Sequence, residues 1–309
     1  EANSPYSVVG SVEVLEDVRL IIEPGVTVKF DAEKTLQVSG ALIARGTEAN
    51  PVTFTSNQPD PAPGDWGTIE FTGTAITTTI DAEGNYVAGS IMKYCVVEYA
   101  GYEAESAVDA RSLLIDHCTV RNNDSRGISN VGTENSPGWI SQSSVIANQG
   151  LFDGGGIHAA YSTVISNTVS DNSVRGSHHR LGRGAGMYVE DGLVIGNTIT
   201  GNTAWRRSST TYEGEGGGIW AKRSTVTDNT VRDNSAVAGG GIYADESNII
   251  ANLVTENAAG GGVDSPHAGS GGGIYARSGL VSGNSVISNG ATGGDPDWGS
   301  AGGGITAIG

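Results

Sequence analysis

Sulfur is nearly absent from this chain, with 2 Cys and 2 Met in 309 residues. Two cysteines exclude a disulfide-stapled scaffold, so burial and hydrogen bonding must hold the core. Phenylalanine is almost as rare, at 4. No apolar run is long enough to cross a bilayer, which excludes a transmembrane helix. Nine prolines beside 48 glycines exclude collagen and proline-rich low-complexity sequence. Positive charge is scarce: 17 Lys+Arg against 34 Asp+Glu leave a net charge of −17. A surface this acidic repels phosphate backbones and anionic lipids, so nucleic acid and membrane surfaces are not expected partners. It suits a soluble protein located extracellularly or at the cell surface. The chain starts at Glu1 without a signal segment, as a processed secreted protein or a trimmed one would.

What is abundant is glycine, and it is patterned. Gly-Gly-Gly-Ile-aromatic-Ala stands at 216–221, 239–244 and 271–276, with variants at 154–159, 184–189 and 302–307. A phrase returning every 20–35 residues is the mark of a solenoid, in which each repeat is one coil stacked on the last. The Ile position forms the series Val108, Ile128, Ile157, Met187, Ile219, Ile242, Ile274, Ile305. Ten residues after most of these stands a polar residue: Asn167, Asn197, Asn229, Asn252, Asn284, preceded by Cys95, Cys118 and Ser143. Five further on comes a second series, Asn123, Asn148, Asn172, Asn202, Asn234, Asn257, Asn289. The step between coils varies while the Ile-to-Asn distance does not. A core must keep register; loops in solvent need not.

The segments between these marks are short, alternate apolar with polar and carry β-branched residues, so they read as strands. Parallel stacking adds about 4.8 Å per coil. Asn in one slot of every coil can then form an amide ladder that satisfies the buried turns. The first hundred residues use the same grammar with other words, in strand-like pieces such as 26–30, 36–38, 52–54 and 69–71. The expected organisation is an N-terminal cap with opening coils over 1–105, continuous with regular coils over 106–309. Cys95 and Cys118 share one slot in neighbouring coils, with Cα atoms about 5 Å apart; a disulfide and a buried thiol stack both fit that placement. The last phrase starts a coil at Gly302 and stops without a polar cap. That end reads either as a truncation or as an edge that meets a partner, such as another copy.

These phrases, together with Ile-Glu-Pro-Gly-Val-Thr-Val-Lys-Phe at 22–30 and Gly-Asp-Trp-Gly-Thr-Ile at 64–69, resemble the right-handed parallel β-helix repeat superfamily, the pectate-lyase-like fold. The glycine and Asn-x-Val-x-x-Asn phrases are similar to non-catalytic bacterial surface proteins such as the polymorphic outer-membrane proteins. The resemblance implies an all-β, single-stranded right-handed parallel β-helix with variable loops along one edge. It implies little about activity, because the fold hosts many.

Strand alternation turns the Ile and the following Ala inward and the residue between them outward. The outward series is His158, Tyr188, Trp220, Tyr243, Tyr275, beside a charged series Glu190, Lys222, Asp245, Arg277. Such a column either stabilises a parallel sheet by stacking and ion pairs or forms an exposed platform for sugar rings. On the second reading His158, Tyr188, Trp220, Tyr243, Tyr275, Lys222 and Arg277 bind a polysaccharide at the cell surface. Arg175, His178, His179, Arg180, Arg183, Arg206 and Arg207, in loops along one edge, would read acidic sugars, with Trp205 and Trp298 as clamps. The phrases that carry the paired carboxylates of pectin hydrolases are absent, as is the acidic cluster of the calcium-dependent lyases. No catalytic residue is therefore assigned. If a lyase were present, His158, Lys222, Tyr243 and Arg277 would be its candidates. No cofactor is expected; calcium is the one metal left as an alternative, at the oxygen-rich turns 81–85 and 295–297, which lack the full ligand count of a calcium loop. The function expected is a non-catalytic structural or adhesive protein that assembles with itself, with polysaccharide binding or cleavage as the alternative.

Overall fold

The computed structural model describes residues 4–81, 85–176, 181–204, 214–260, 269–292 and 302–308. Among them there is no helix; the chain is a succession of short strands in long parallel sheets. One coil shows the winding. Strand Ile219–Lys222 lies in an 11-stranded sheet A, Thr225–Thr227 in a 10-stranded sheet B, Thr230–Arg232 in an 11-stranded sheet C and Ser235–Ala236 in a six-stranded sheet D. The chain then leaves the coil and returns to sheet A through the glycines. This is the right-handed parallel β-helix that the repeat pattern implies.

The corners explain the sequence. Asp228 and Asp233 sit in the left-handed region, with φ of 57° and 54°, which short polar side chains tolerate. Each bends the strand and delivers the next residue, Asn229 or Asn234, to the interior. Glycine is required where the coil restarts: Gly216 has φ +66°, and a Cβ on Gly217 would lie 2.4 Å from the Ser235 carbonyl oxygen of the same coil. The triplet is thus a tight turn followed by backbone packed on backbone.

The register is as the slots predict. The Ile series pairs in order from Val108 through Ile128, Ile157, Met187, Ile219, Ile242 and Ile274 to Ile305. It extends back through Ile69 and Leu36 to Val12. Inside, one apolar residue per strand fills a narrow bore, with Val226 and Val231 fully buried beside Ile219. A single core cluster runs from Val14 to Ala276.

Both Asn ladders form. Asn167 Nδ2 donates to Asn197 Oδ1 at 2.9 Å, and Asn197 to Asn229 at 2.9 Å. Asn229 donates to Asn252 and Asn252 to Asn284, each at 3.0 Å. The second ladder runs from Asn123 to Asn289 in the same way. Cys95 and Cys118 occupy the head of the first ladder as free buried thiols; Cys118 Sγ points at the Met92 and Asp116 carbonyls, 3.4 Å away. Of the two arrangements their slot allowed, this is the thiol stack.

The first described strands, Tyr6–Val8, Val12–Val14 and Arg19–Ile22, already pair in sheets C, A and B. Trp66, flagged by its Gly-Asp-Trp-Gly phrase, is fully buried, stacks on Phe30 at 4.2 Å and donates Nε1 to the Glu98 carbonyl. Strands Thr79–Ile80 and Tyr86–Ala88 pair as an antiparallel hairpin; residues 82–84 of the oxygen-rich turn lie outside the described residues.

Candidate functional site

Sheet A carries the predicted aromatic column. His158, Tyr188, Trp220, Tyr243 and Tyr275 pair in register on successive coils. Their ring centroids are 5.2, 4.5, 6.1 and 4.9 Å apart in that order. Tyr188 and Trp220 are parallel to within 1°. The charged column stands beside it: Glu190 lies opposite Lys222 and Asp245 opposite Arg277. Arg277 Nε is 4.0 Å from Asp245 Oδ1, and Arg277 also donates to the Tyr243 hydroxyl.

The column is not exposed, and this corrects the sequence reading. Tyr188, Trp220, Tyr243 and Tyr275 keep only 7, 5, 5 and 2% of their surface. Alternation assigns them correctly to the outer face of sheet A, but an outer ribbon lies over that face. Strands Gly182–Arg183 and Gly214–Glu215 pair in parallel, and bridges continue the ribbon from Asp153 through Arg183, Glu215 and Ala238 to Ser270. Arg183 sits over the Trp220 ring at 5.3 Å, Trp220 Nε1 donates to Glu215 Oε2 at 3.1 Å, and Ala238 joins the aromatic cluster. Burial pushes the Tyr188 phenol far up, aided by its 2.7 Å bond to Glu190, and pushes Tyr243 up to about 12. These four rings form a second core. His158 remains half-buried at the end of the stack and Lys222 half-buried at its side. Of the loop residues expected to read acidic sugars, His178, His179, Arg180, Trp205, Arg206, Arg207 and Trp298 lie outside the described residues.

Sequence reasoning missed a different place, the outer face of sheet B. Two columns run down it. The charged one reads Arg45, Lys93, Asp116, Ser141 and Ile165; the apolar one reads Ile43, Ile91, Leu114 and Trp139. The hairpin Thr79–Ile80/Tyr86–Ala88 flanks the apolar column. Thr78 holds it there, its hydroxyl accepting from Leu114 N–H at 2.7 Å and donating to the Ser90 carbonyl at 2.5 Å. The left-handed corner residues His117, Gln142 and Ser166 form the opposite wall. Between them lies a groove of about 500 Å³, within the range of ligand sites.

Asp116 is its electrostatic centre. The buried carboxylate accepts the Ser141 hydroxyl at 2.8 Å, meets Lys93 Nζ at 2.8 Å and lies 2.9 Å from His117 Nδ1. Burial alone would raise its pKa; Lys93, Ser141 and His117 outweigh that and hold it below the usual carboxylate range. Lys93 is thereby neutralised. Arg45 lies over the Tyr86 ring at 5.3 Å. The arrangement offers a flat indole, a guanidinium and hydrogen-bonding groups along one open trough. Among the described residues no group of three or more His, Cys, Asp or Glu is placed to hold a metal.

A family model described as a pectate-lyase-like β-helix domain matches residues 1–114. The Drosophila melanogaster protein bark beetle is 42% identical over 55 residues, which are 18% of this chain and 2% of that protein. The chain therefore spans only a small part of that relative. Among solved structures, the Dettilon tailspike protein aligns with 96% of this chain and 60% of its own, at 15% identity and a TM-score of 0.30. The A-module of the mannuronan C-5 epimerase of Azotobacter vinelandii aligns over 98% and 89%, at 14% identity and a TM-score of 0.35. Likenesses of this size carry no statement about activity.

Proposed function

We propose that this right-handed parallel β-helix works as a rigid, non-catalytic rod outside the cell or on its surface, a structural and adhesive element. One observation supports this above the others: the aromatic and charged column that would have served as a platform is consumed in holding the coils together. With two amide ladders inside and a stacked aromatic spine under a ribbon outside, the coils of the second half are fastened to one another at several points. That is a design for stiffness. The reading includes contacts between copies, end to end or side by side, and adhesion to polysaccharide. Sedimentation at rising concentration together with electron microscopy tests assembly; a monomer at every concentration removes that part. Incubation with acidic and neutral polysaccharides, followed for unsaturated and reducing ends, tests the non-catalytic part.

A second reading, cleavage of a polysaccharide, is favoured by one feature, the juxtaposition of Asp116, His117 and Lys93 in an open groove. New chain ends in the incubation, lost in His117→Ala, would establish it in place of the first.

A further inference from the structure

We propose that the groove of sheet B is a binding site for an anionic oligosaccharide, which lays a sugar ring on Trp139 and sets a charged substituent against Arg45. This rests on the reading of the chain as a non-catalytic adhesive rod and names what the rod holds. The argument starts from charge. On a protein of net charge −17, the trough between the hairpin and the corner residues is lined by Arg45, Lys93 and His117, with Asp116 as its one carboxylate among the described residues. Asp116 is committed to Lys93, Ser141 and His117. Arg45 makes no ion pair among the described residues, and its contact is the edge of the site itself, the Tyr86 ring. An exposed guanidinium with fork geometry and no carboxylate is free to take a carboxylate or a sulfate.

The second part of the argument is shape. Trp139 is half-buried on the outer face, two residues from Ser141 and so on the same side of the strand, and its ring edges the trough instead of filling the core. An amphipathic ring in such a place stacks on flat apolar faces, and the face of a pyranose is one. Arg45 and Trp139 belong to strands Ala41–Arg45 and Gly138–Ser141, three coils apart through Ile91–Lys93 and Leu114–Asp116. Three steps of about 4.8 Å make roughly 14 Å. No single sugar reaches both. A chain of several rings does, lying across the coils with Ser141, Gln142 and Ser166 beside its hydroxyls. The ligand is thus a polymer segment with negative charge, not a compact metabolite.

Titration calorimetry on the intact chain tests this with three oligomer series of increasing length: uronate, sulfated galactose and unmodified galactose. Binding should strengthen with length, and at least one anionic series should bind about tenfold or more tighter than the neutral one at equal length. The tighter series identifies the charged group. Arg45→Gln should remove most of that preference, and Trp139→Ala should weaken every series. Both side chains reach the surface, and circular dichroism verifies that the coils survive. Equal affinity for neutral and anionic oligomers overturns the proposal, as does wild-type affinity in both variants or no binding in any series. Chain cleavage with groove-dependent binding intact would sink the non-catalytic reading while leaving this site standing.

Discussion

Asn197 stands in the middle of the first ladder, and replacing it by Ala should be among the costliest single changes in the chain. Its Oδ1 accepts two donors from the preceding coil, Asn167 N–H and Asn167 Nδ2, both at 2.9 Å. Its own Nδ2 serves Val164 O and Asn229 Oδ1 at 2.9 Å and Ile195 O at 3.1 Å. Asn229 Oδ1 keeps a partner in Asn197→Ala, because the Asn197 backbone N–H still reaches it. Asn167 is worse off: its N–H and one amide hydrogen lose their acceptor in a region closed to water. Stranding a buried donor costs about 1–3 kcal/mol, so two give about 4 kcal/mol. Asn289→Ala provides the control. Its oxygen has the same two partners on Asn257, but the residue is half-buried, so water substitutes and the cost falls to about 1 kcal/mol. Urea unfolding followed by far-ultraviolet dichroism measures the difference. Hydrogen exchange at Asn167 locates it, which guards against a solenoid that does not unfold in two states. Losses below 1 kcal/mol in both variants, with Asn167 still protected, would mean that the ladder is ornamental and the bore alone holds the coils.

Trp220→Ala should cost about 3–5 kcal/mol, the value for emptying a buried aromatic site; a change near zero in thermal unfolding would show that the column is open to solvent after all. Tyr243 should ionise at about 12, read as phenolate absorbance lost from the alkaline titration near pH 10 in Tyr243→Phe only after unfolding. Because its folded pKa lies above the unfolded value near 10, its contribution is complete below pH 10 and disappears as pH rises towards 12; equal alkaline stability of the Phe variant contradicts this. Both cysteines are buried, and burial raises the Cys95 thiol with Cys118 adding to the effect; buried as they are, neither should react with a thiol reagent at pH 8 until denaturant is added, and fast labelling of the native chain would refute the buried stack.

The winding was legible because a solenoid turns sequence slots into columns. The Ile series, the two Asn series and the outward aromatic series all became vertical neighbours in the order the spacing predicts. Slot arithmetic says which face a side chain leaves from; it says nothing about what lies above that face. The aromatic column was therefore placed correctly and its exposure misjudged. A signal existed in the residue just before each glycine phrase, Asp153, Arg183, Glu215, Ala238 and Ser270, which is the slot that bridges into the covering ribbon. The thiol stack was undecidable from spacing, because slot sharing brings two sulfurs close whether or not they bond.

The same column logic separates cohesion from function. A slot that holds one residue type over many coils serves the stack, since each copy needs the same partner above and below; the ladders and the aromatic spine are of this kind. A slot that changes character is answering to something outside the stack. The slot two residues before the first ladder does this. It reads Lys93, Asp116 and Ser141 in the early coils, with Arg45 in the same column, and then turns to Ile165, Ile195, Thr227 and Ile250. The charged part lies on the coils beside the hairpin, which Thr78 ties to Leu114, and borders the coil that carries Trp139. Cohesion accounts for Lys93, Asp116 and Ser141, which bond across adjacent coils, but gives no reason for Arg45, which makes no ion pair among the described residues, while Val194 and Val226 hold the later coils with apolar or hydroxyl neighbours outside. A ligand lying along the first coils does give one, and it requires charge, indole and hairpin at the same height on the rod.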